Sequence, residues 1–209
     1  MEVKTRYDPK KKAAIIVEPR EIKVAKRDYE AIQRVTGGQF GYLFITEKLD
    51  INKRGKVTYL NLEYIKGEPF DLDVQNLHSD IAKLTSLRAL SLRMNELRYF
   101  PEALRGLTRL KRLWVYENNL QELPDWIGEL KGLEILNLGQ NALKCIPESI
   151  GKLHSLRELL VVQNPIRTLP DSLTQISTLE KIVIEGKWLD ERSKAIKKTL
   201  KSKGVDVVI

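Results

Sequence analysis

A motif that recurs every 23 residues is the strongest constraint on what this chain can fold into. Its fixed columns hold aliphatic residues, one asparagine and one proline. Four asparagines and four prolines keep the same register: Asn95, Asn118, Asn141, Asn164, Pro101, Pro124, Pro147 and Pro170. Tandem units of this length predict a solenoid, because one short unit cannot bury its own apolar face whereas stacked units can.

Each column of the motif has a physical role. The shared pattern is L-x-x-L-x-[LV]-x-x-N-x-[LI]-x-x-[LFI]-P-x-x-[LI]-x-x-[LI]-x-x, and its first six positions predict a short strand with alternate side chains pointing inward. The asparagine follows where the chain must turn, and its side chain is suited to bonding the buried backbone of neighbouring turns. The proline begins a return leg, on which two further aliphatic residues close the core.

These units resemble the leucine-rich repeat family. The 23-residue length and the motif L-P-x-x-[IL]-G-x-L, present at residues 123–130, are similar to the intracellular, Ras-group type of that family. The resemblance covers roughly residues 57–186. It implies an α/β fold, a leucine-rich repeat solenoid with a parallel concave β-sheet and α/β caps at both ends. It also implies a non-catalytic scaffold for protein–protein interaction, and the Ras-group analogy suggests a small GTPase or signalling protein as partner.

The segment after the last regular unit predicts a cap. Apolar or small residues recur at helical spacing at Leu189, Ser193, Ile196 and Leu200, and Gly204 ends this predicted helix. Residues 205–209 then predict a strand, which should lie parallel to the strand at residues 182–184. We therefore assign residues 187–209 to a C-terminal helix–strand cap.

The segment before the regular units is harder to interpret. Residues 24–35 predict a helix, and Phe40, Tyr42 and Phe44 alternate as in a strand or extended segment. An irregular first unit begins at Val57, and its extra residues at 66–76 suggest a loop. We interpret residues 1–56 as an N-terminal tail and cap and residues 57–186 as the repeats. A separate ligand-binding module within residues 1–56 is the alternative.

Composition and charge limit the classes of function. One cysteine and two histidines exclude a disulfide framework and a structural zinc site, which normally takes four Cys or His ligands. The net charge of +8 lies at the ends, since residues 1–56 carry +6, residues 57–186 carry −2 and residues 187–209 carry +4. A protein that grips nucleic acid usually concentrates basic charge on its working surface. The repeats lack such an excess of basic charge.

We identify no catalytic residues, no metal ligands and no cofactor-binding residues in the sequence, and we expect a protein that is not an enzyme. The repeat pattern separates Cys145, just past an asparagine turn, from His154 on the return leg. A surface thiol is therefore favoured over a nucleophile. The charged start of the chain lacks the apolar stretch of a secretory signal. We expect a cytoplasmic location and a monomer.

The variable strand positions are the candidate partner-binding residues. The third, fifth and seventh positions of each unit project from the concave face, because the positions between them point into the core. Apolar and aromatic residues crowd the middle units, with charges at both margins, and such a cluster marks a binding site. The candidates are Arg93, Arg112, Trp114, Tyr116, Ile135, Asn137, Glu158, Leu160 and Val162.

Three alternatives stay open. The concave side chains could pack only on one another across the sheet. Trp126, on the return leg, is expected to be a second exposed aromatic residue, which either contacts a partner on the convex side or covers the core. The basic caps could also bind an acidic surface, either nucleic acid or an anionic membrane, in place of the concave face. Binding through the caps would weaken steeply with salt.

Overall fold

The computed structural model describes residues 14–17, 20–36, 48–63, 77, 79–185, 187 and 189–208. The extended segment predicted at residues 40–44 and the loop predicted at residues 66–76 lie outside the described residues. Two strands near the N-terminus, β1 (Ala14–Val17) and β2 (Arg20–Lys23), pair antiparallel in a small sheet. The first helix, α1, follows at Lys26–Val35, within the range that the sequence predicts.

The repeats and the two caps together build a second sheet, of eight strands in the described part of the chain. Its strands are β3 (Leu49–Ile51), β4 (Val57–Asn61), β5 (Ala89–Ser91), β6 (Arg112–Trp114), β7 (Ile135–Asn137), β8 (Glu158–Leu160), β9 (Lys181–Val183) and β10 (Asp206–Val208). The spatial order is β10-β9-β8-β7-β6-β5-β4-β3. All neighbours pair in parallel except β3, which is antiparallel to β4. The fold is the predicted solenoid with a parallel sheet.

The return legs are short 3₁₀ helices on the opposite side of the core. They span Ser79–Lys83, Glu102–Gly106, Asp125–Glu129, Glu148–Lys152 and Asp171–Gln175. In the four regular units the motif proline is the residue just before this helix. Neighbouring helices approach closely where the motif has glycine. A Cβ atom on Gly128 would lie 2.4 Å from the carbonyl oxygen of Ser149, so a larger residue would push two units apart.

The core lies between the sheet and the 3₁₀ helices and runs through all the units. Leu90, Leu113, Leu136, Leu159 and Ile182 occupy the fourth strand position and are fully buried. They lie side by side in the ladder, because each strand pairs with its neighbour at the same motif position. Every unit therefore buries its apolar face against the next unit, and the two ends of the stack need covers.

The asparagines form a ladder that bonds each turn to the preceding one. The Asn118 side-chain oxygen accepts hydrogen bonds from the backbone N–H groups of Asn95 and Leu97, both at 3.0 Å. Its amide donates to the Leu92 and Val115 carbonyls at 2.9 and 3.0 Å. Asn141 and Asn164 make the equivalent amide bonds one and two units later, and their oxygens accept from the Leu120 and Leu143 N–H groups, the counterparts of Leu97. The role that the sequence predicts for these asparagines is confirmed.

The residue before each ladder asparagine adopts a left-handed backbone conformation. The φ angles of Met94, Glu117, Gln140 and Gln163 are 57°, 59°, 50° and 55°. This conformation turns the chain sharply after the strand, and it is uncommon for residues other than glycine. The sequence does not predict it, since none of the four residues is glycine or asparagine. The hydrogen bonds of the ladder asparagines to the turn backbone stabilise this conformation.

Helix α1 covers the N-terminal end of the core. Ala31 and Ile32 are fully buried in the same apolar cluster as the repeat leucines. The buried carboxylate of Asp28 accepts hydrogen bonds from the backbone N–H of Val57 at 2.9 Å and from the Lys56 ammonium at 3.0 Å. These bonds fix the helix to the first strand of the stack. They match a cap better than a separate module.

A second carboxylate joins α1 to the first 3₁₀ helix. Asp80 is buried and forms ion pairs with Arg34 of α1 and Lys83 of its own helix. The hydrogen bond from Lys83, together with the one from Arg34, holds the pKa of Asp80 below its ordinary value. The N-terminal cap is thus attached by charge as well as by apolar packing.

The C-terminal cap also follows the sequence prediction. Helix α2 spans Glu191–Ser202, and its N-terminus is capped by Asp190, which accepts from the Ser193 N–H at 2.8 Å. The Ser193 hydroxyl in turn accepts from the Leu169 backbone N–H at 2.8 Å. Ile196 and Leu200 face the core. Strand β10 then pairs in parallel with β9, as the strand–helix–strand pattern predicts.

Replacing one ladder asparagine should destabilise the whole stack. We expect Asn141→Ala to cost about 1–3 kcal/mol of unfolding free energy, because buried carbonyl and N–H groups lose their partners. Chemical denaturation measures this cost. The matched control is Asn119→Ala, at an exposed side chain in the neighbouring turn, which should leave the midpoint nearly unchanged. Equal midpoints for the two variants would contradict the structural role of the ladder.

Removing the C-terminal cap should expose the end of the core. Deletion of residues 187–209 strips α2 and β10 from the buried side chains of Ile182 and Ile184. Solenoids without caps lose solubility and stability. We expect a lower melting temperature or aggregation in light scattering. A monomeric truncated protein with an unchanged melting temperature would show that residues 187–209 are an appendage.

Candidate functional site

The outward side chains of the strands form the concave face. Leu113 and Val115 are fully buried, whereas Trp114 and Tyr116, which alternate with them, are half-buried on the other side of the sheet. The same alternation holds in β7, β8 and β9, whereas β5 carries small outward side chains and is buried at all three positions. Strand geometry alone thus presents the third, fifth and seventh positions to a partner.

Most of the candidate residues are half-buried on this face, and Arg112 is the exposed one. Neighbours in the ladder are Arg112 with Ile135, Trp114 with Asn137, Ile135 with Glu158, and Asn137 with Leu160. The candidate set therefore forms one continuous surface from β5 to β8.

The apolar cluster is less exposed than the sequence suggests. Gly139 explains part of this difference, because a Cβ there would lie 3.0 Å from the Tyr116 ring and 3.2 Å from Val162. The two side chains close over the glycine from the neighbouring units and cover each other. Packing across the sheet, which we left open as an alternative, is thus present around Gly139. It leaves the side chains half-buried, with part of their surface facing solvent.

A depression of about 450 Å³ lies at the N-terminal half of the concave face. Its lining residues come from four adjacent units: Tyr59, Asn61, Glu63, Ser91, Arg93, Trp114, Tyr116 and Asn137. Four of the sequence-predicted residues meet here, namely Arg93, Trp114, Tyr116 and Asn137. Arg112, Ile135, Glu158, Leu160 and Val162 are not part of the lining. Arg112 lies beside it, over the Trp114 ring, and the other four extend the surface toward the C-terminal units.

The sequence analysis missed the contribution of the irregular first unit. Tyr59, Asn61 and Glu63 occupy the third, fifth and seventh positions of the pattern that begins at Val57. This register places all three side chains on the concave face, but the candidate residues came from the regular units alone. Ser91 was also missed, because a small side chain gives no apolar or charged signal. The small Ser91 side chain lies between larger side chains and leaves a hollow in the surface.

Two arginines lie over aromatic rings in the site. The Arg93 guanidinium lies 5.5 Å from the centre of the Tyr116 ring and 3.7 Å from the Glu63 carboxylate. The Arg112 guanidinium lies 5.7 Å from the centre of the Trp114 ring. Both distances fit a cation–π interaction, which holds the rings and the cations in place.

Tyr59 is electrostatically coupled to the same surface. Partial burial, followed by the nearby carboxylates of Glu63 and Asp50, raises the pKa of the Tyr59 phenol above its ordinary value. Arg112 acts in the opposite direction, which places it near Tyr59. The phenol therefore stays protonated at neutral pH and can donate a hydrogen bond.

Trp126 is not the second exposed aromatic residue that we expected. Its side chain is half-buried against the core, and its ring packs edge-on against Phe100 at a centroid distance of 5.5 Å. It covers the core on the convex side. The large apolar side chains that are most exposed in the described part of the chain are Tyr99, Met94 and Val208, and the sequence analysis did not single them out.

Cys145 is exposed at a one-residue bridge to Thr168, as expected for a surface thiol. Within the described ranges, no three His, Cys, Asp or Glu side chains cluster so as to hold a metal ion. Neither α1 nor α2, the two α-helices of the described residues, is long and apolar enough to cross a membrane.

Comparison with known proteins identifies the same type of repeat and the same solenoid fold. Residues 108–166 match the sequence model of the leucine-rich repeat, and the fold is that of a leucine-rich repeat solenoid. No curated protein sequence matches this chain. The leucine-rich repeat fold generally serves as a protein–protein interaction scaffold, with a curved binding surface. The match is to the general repeat, so the finer Ras-group type stays a prediction.

Solved structures share the fold. A leucine-rich repeat protein of Leptospira interrogans aligns with 29% identity and a TM-score of 0.59, over 64% of this chain and 34% of that chain. This chain thus spans about a third of the Leptospira chain. The leucine-rich repeat ectodomain of the receptor kinase SOBIR1 from Arabidopsis thaliana aligns with 20% identity and a TM-score of 0.60, over 79% and 96% of the two chains. Internalin C2 of Listeria monocytogenes aligns with 21% identity and a TM-score of 0.52, over 64% and 55%.

The phenol of Tyr59 offers a direct probe of the site. We expect Glu63→Gln to lower the pKa of Tyr59 toward its ordinary value of 10.0, because a neighbouring negative charge is removed. The pKa should stay somewhat raised, since burial is the larger cause. Absorbance titration of tyrosinate, with Tyr59→Phe as the assignment standard, measures it. Glu122→Gln, at an exposed acid outside the site, should leave the titration unchanged.

Proposed function

We propose that this protein is a non-catalytic scaffold that binds a partner protein through the concave face of its repeats. The observation that carries the proposal is the pair of half-buried rings, Trp114 and Tyr116, each with an arginine over it, beside an open depression. Aromatic residues and arginine contribute most of the energy at many protein interfaces. Cation–π contacts keep these side chains ordered, so less conformational entropy is lost when a partner binds.

The surface extends beyond the depression. Ile135, Leu160 and Val162 add half-buried apolar area on β7, β8 and the turn after β8. Arg112 lies at one margin of this area, and Glu158 and Lys181 lie at the other. In this proposal, residues 57–186 carry the binding face and residues 1–56 and 187–209 act as its caps. A small GTPase or another signalling protein is the partner that the Ras-group analogy supports, in the cytoplasm and with the scaffold as a monomer.

A second candidate function rests on helix α2. Lys198 and Lys201 are exposed on it, and Lys197 is half-buried beside them. These three lysines form no ion pair among the described residues, whereas Arg192 and Lys194 pair with Asp171 and Glu191. A free basic helix face would attract nucleic acid or an anionic membrane. Binding of that kind falls steeply with salt, and burial on the concave face does not.

Substitution of Trp114 should separate binding from folding. We expect Trp114→Ala to abolish capture of the partner that the wild-type protein retains from native lysate, because an interface tryptophan is worth about 2 kcal/mol or more, roughly thirtyfold in affinity. Its melting temperature should fall by less than that of a core tryptophan variant, whose loss costs about 3–5 kcal/mol. Pull-down with mass spectrometry and thermal denaturation give the two readouts.

The matched control changes the basic helix. Lys197→Glu combined with Lys201→Glu should leave capture by the concave face intact. Loss of the partner in this double variant, with capture retained by Trp114→Ala, would move the function to the C-terminal cap. Repeating the capture at high salt gives an independent check, since the two candidates respond to salt differently.

A further inference from the structure

We infer that the concave face, at the edge of the depression where Arg112 lies over Trp114, recognises an acidic segment of the partner. In this inference a single carboxylate, from an aspartate or glutamate side chain, binds at Arg112, and an apolar neighbour in the same segment packs on Trp114 and Ile135. The inference rests on the proposed function, since it specifies what the same surface binds. It follows from the polar groups that line the depression and from the state of Arg112.

Arg112 is a cation whose charge is not balanced locally. Its side chain is exposed, and none of the described acidic residues forms an ion pair with it. Two other arginines of the repeats differ, because Arg105 pairs with Glu129 at 2.7 Å and Arg157 pairs with Glu180 at 3.1 Å. The Arg112 guanidinium lies over the Trp114 ring, and no hydrogen bond within the described residues uses its N–H donors. A planar guanidinium fork matches a carboxylate.

The asparagines of the depression also present donors. The side-chain oxygen of Asn61 accepts from the Glu63 backbone N–H at 2.9 Å. The side-chain oxygen of Asn137 likewise accepts from the Gly139 N–H at 3.0 Å. Because a backbone N–H can only bond to the oxygen end of the amide, the NH₂ end of each side chain is left as a donor. The Asn61 side chain also hydrogen-bonds the Tyr59 phenol, whereas the NH₂ group of Asn137 is the one that faces a ligand. The two asparagines lie on β4 and β7, at opposite sides of the depression.

The remaining polar groups point to the same class of ligand. Tyr59 stays protonated and adds a hydroxyl donor. The floor residue Ser91 is 3% exposed, and its hydroxyl has no hydrogen-bond partner among the described residues. The carboxylate of the lining, Glu63, is already engaged by Arg93. A site rich in donors and poor in free acceptors favours a ligand that brings acceptors, and an anionic carboxylate is the strongest of these in proteins.

The charges around Arg112 indicate what net charge a bound anion would carry. Arg112 contributes one uncompensated positive charge, because Glu63 offsets Arg93. A dianion such as a phosphate group would leave one negative charge unpaired, on a surface where Glu63 and Asp50 already act on Tyr59, and added negative charge there is unfavourable. A monoanionic carboxylate would neutralise the site. Side-chain carboxylates on a polypeptide therefore fit better than phosphorylated groups.

The apolar part of the ligand is set by the ladder. Ile135 lies directly beside Arg112 on the neighbouring strand, and the half-buried Trp114 ring lies beneath the guanidinium. Adjacent strands are about 4.8 Å apart. A partner residue next to the acid in sequence therefore reaches Ile135 or Trp114. The expected recognition element is an aspartate or glutamate adjacent to an aliphatic or aromatic residue.

A displayed library of random linear peptides tests this inference on the full-length protein. We expect the wild-type protein to enrich peptides in which an acid is adjacent to an apolar residue. An enriched peptide, synthesised singly, should bind Arg112→Gln about tenfold more weakly, as expected when a charge-assisted hydrogen bond is lost. Selection on Arg112→Glu should instead enrich lysine or arginine at the position of the acid.

The controls distinguish a failure of the acidic-segment inference from a failure of the proposed scaffold function. Arg105→Gln, at an arginine on a return-leg helix, should select the same peptides as the wild type. Peptides enriched by the wild type without acidic preference, or an unchanged preference in Arg112→Glu, would overturn the acidic-segment inference while leaving the concave scaffold in place. If the wild type enriches no peptides beyond those of Trp114→Ala, both are wrong. Acidic peptides that depend on Lys197 and Lys201 in place of Arg112 would overturn the inference in favour of the basic helix.

Discussion

The whole structure depends on how the backbone of each turn is satisfied. A chain that reverses direction next to a continuous apolar core buries carbonyl and N–H groups that water cannot reach. The ladder asparagines supply both an acceptor and two donors, and each bonds the backbone of its own unit and of the preceding one. Because that bonding fixes the spacing between units, it also fixes the registration of the strands. The concave face, with its rows of aligned side chains, is a consequence of this registration.

The parts of the fold that could be predicted are those in which one residue type has one physical role. Aliphatic columns, asparagines and prolines at a fixed period specify the solenoid, and helical spacing around Ile196 specifies the C-terminal cap. Strand β3 could not be predicted, because three residues carry no usable periodicity and its pairing with β4 depends on the turn at Gly55. The left-handed turns were also hidden, since Gln140 and its counterparts are held in that conformation by surrounding contacts and not by their own preference.

The candidate site was predictable in its position and less so in its shape. Alternation along β6 assigns Trp114 and Tyr116 to the concave side without any knowledge of the structure. Their depth depends on neighbours, because Gly139 lets Tyr116 lean across the sheet, and Ser91 leaves a hollow beside Trp114. The depression exists because small residues leave space between large ones. Reading one motif position at a time does not reveal how side chains from several units fill that space.

The depression lies across the boundary between the irregular first unit and the regular ones. Three of its lining residues, Tyr59, Asn61 and Glu63, belong to the same unit that α1 closes through Asp28. The end of the solenoid and its recognition surface are therefore encoded together. Whole units from residue 156 onward could be gained or lost during evolution while this depression stayed intact. Exchange of the first unit for a regular one would keep a stackable core and remove one wall of the depression, so the divergent unit is the one that gives the surface its individuality.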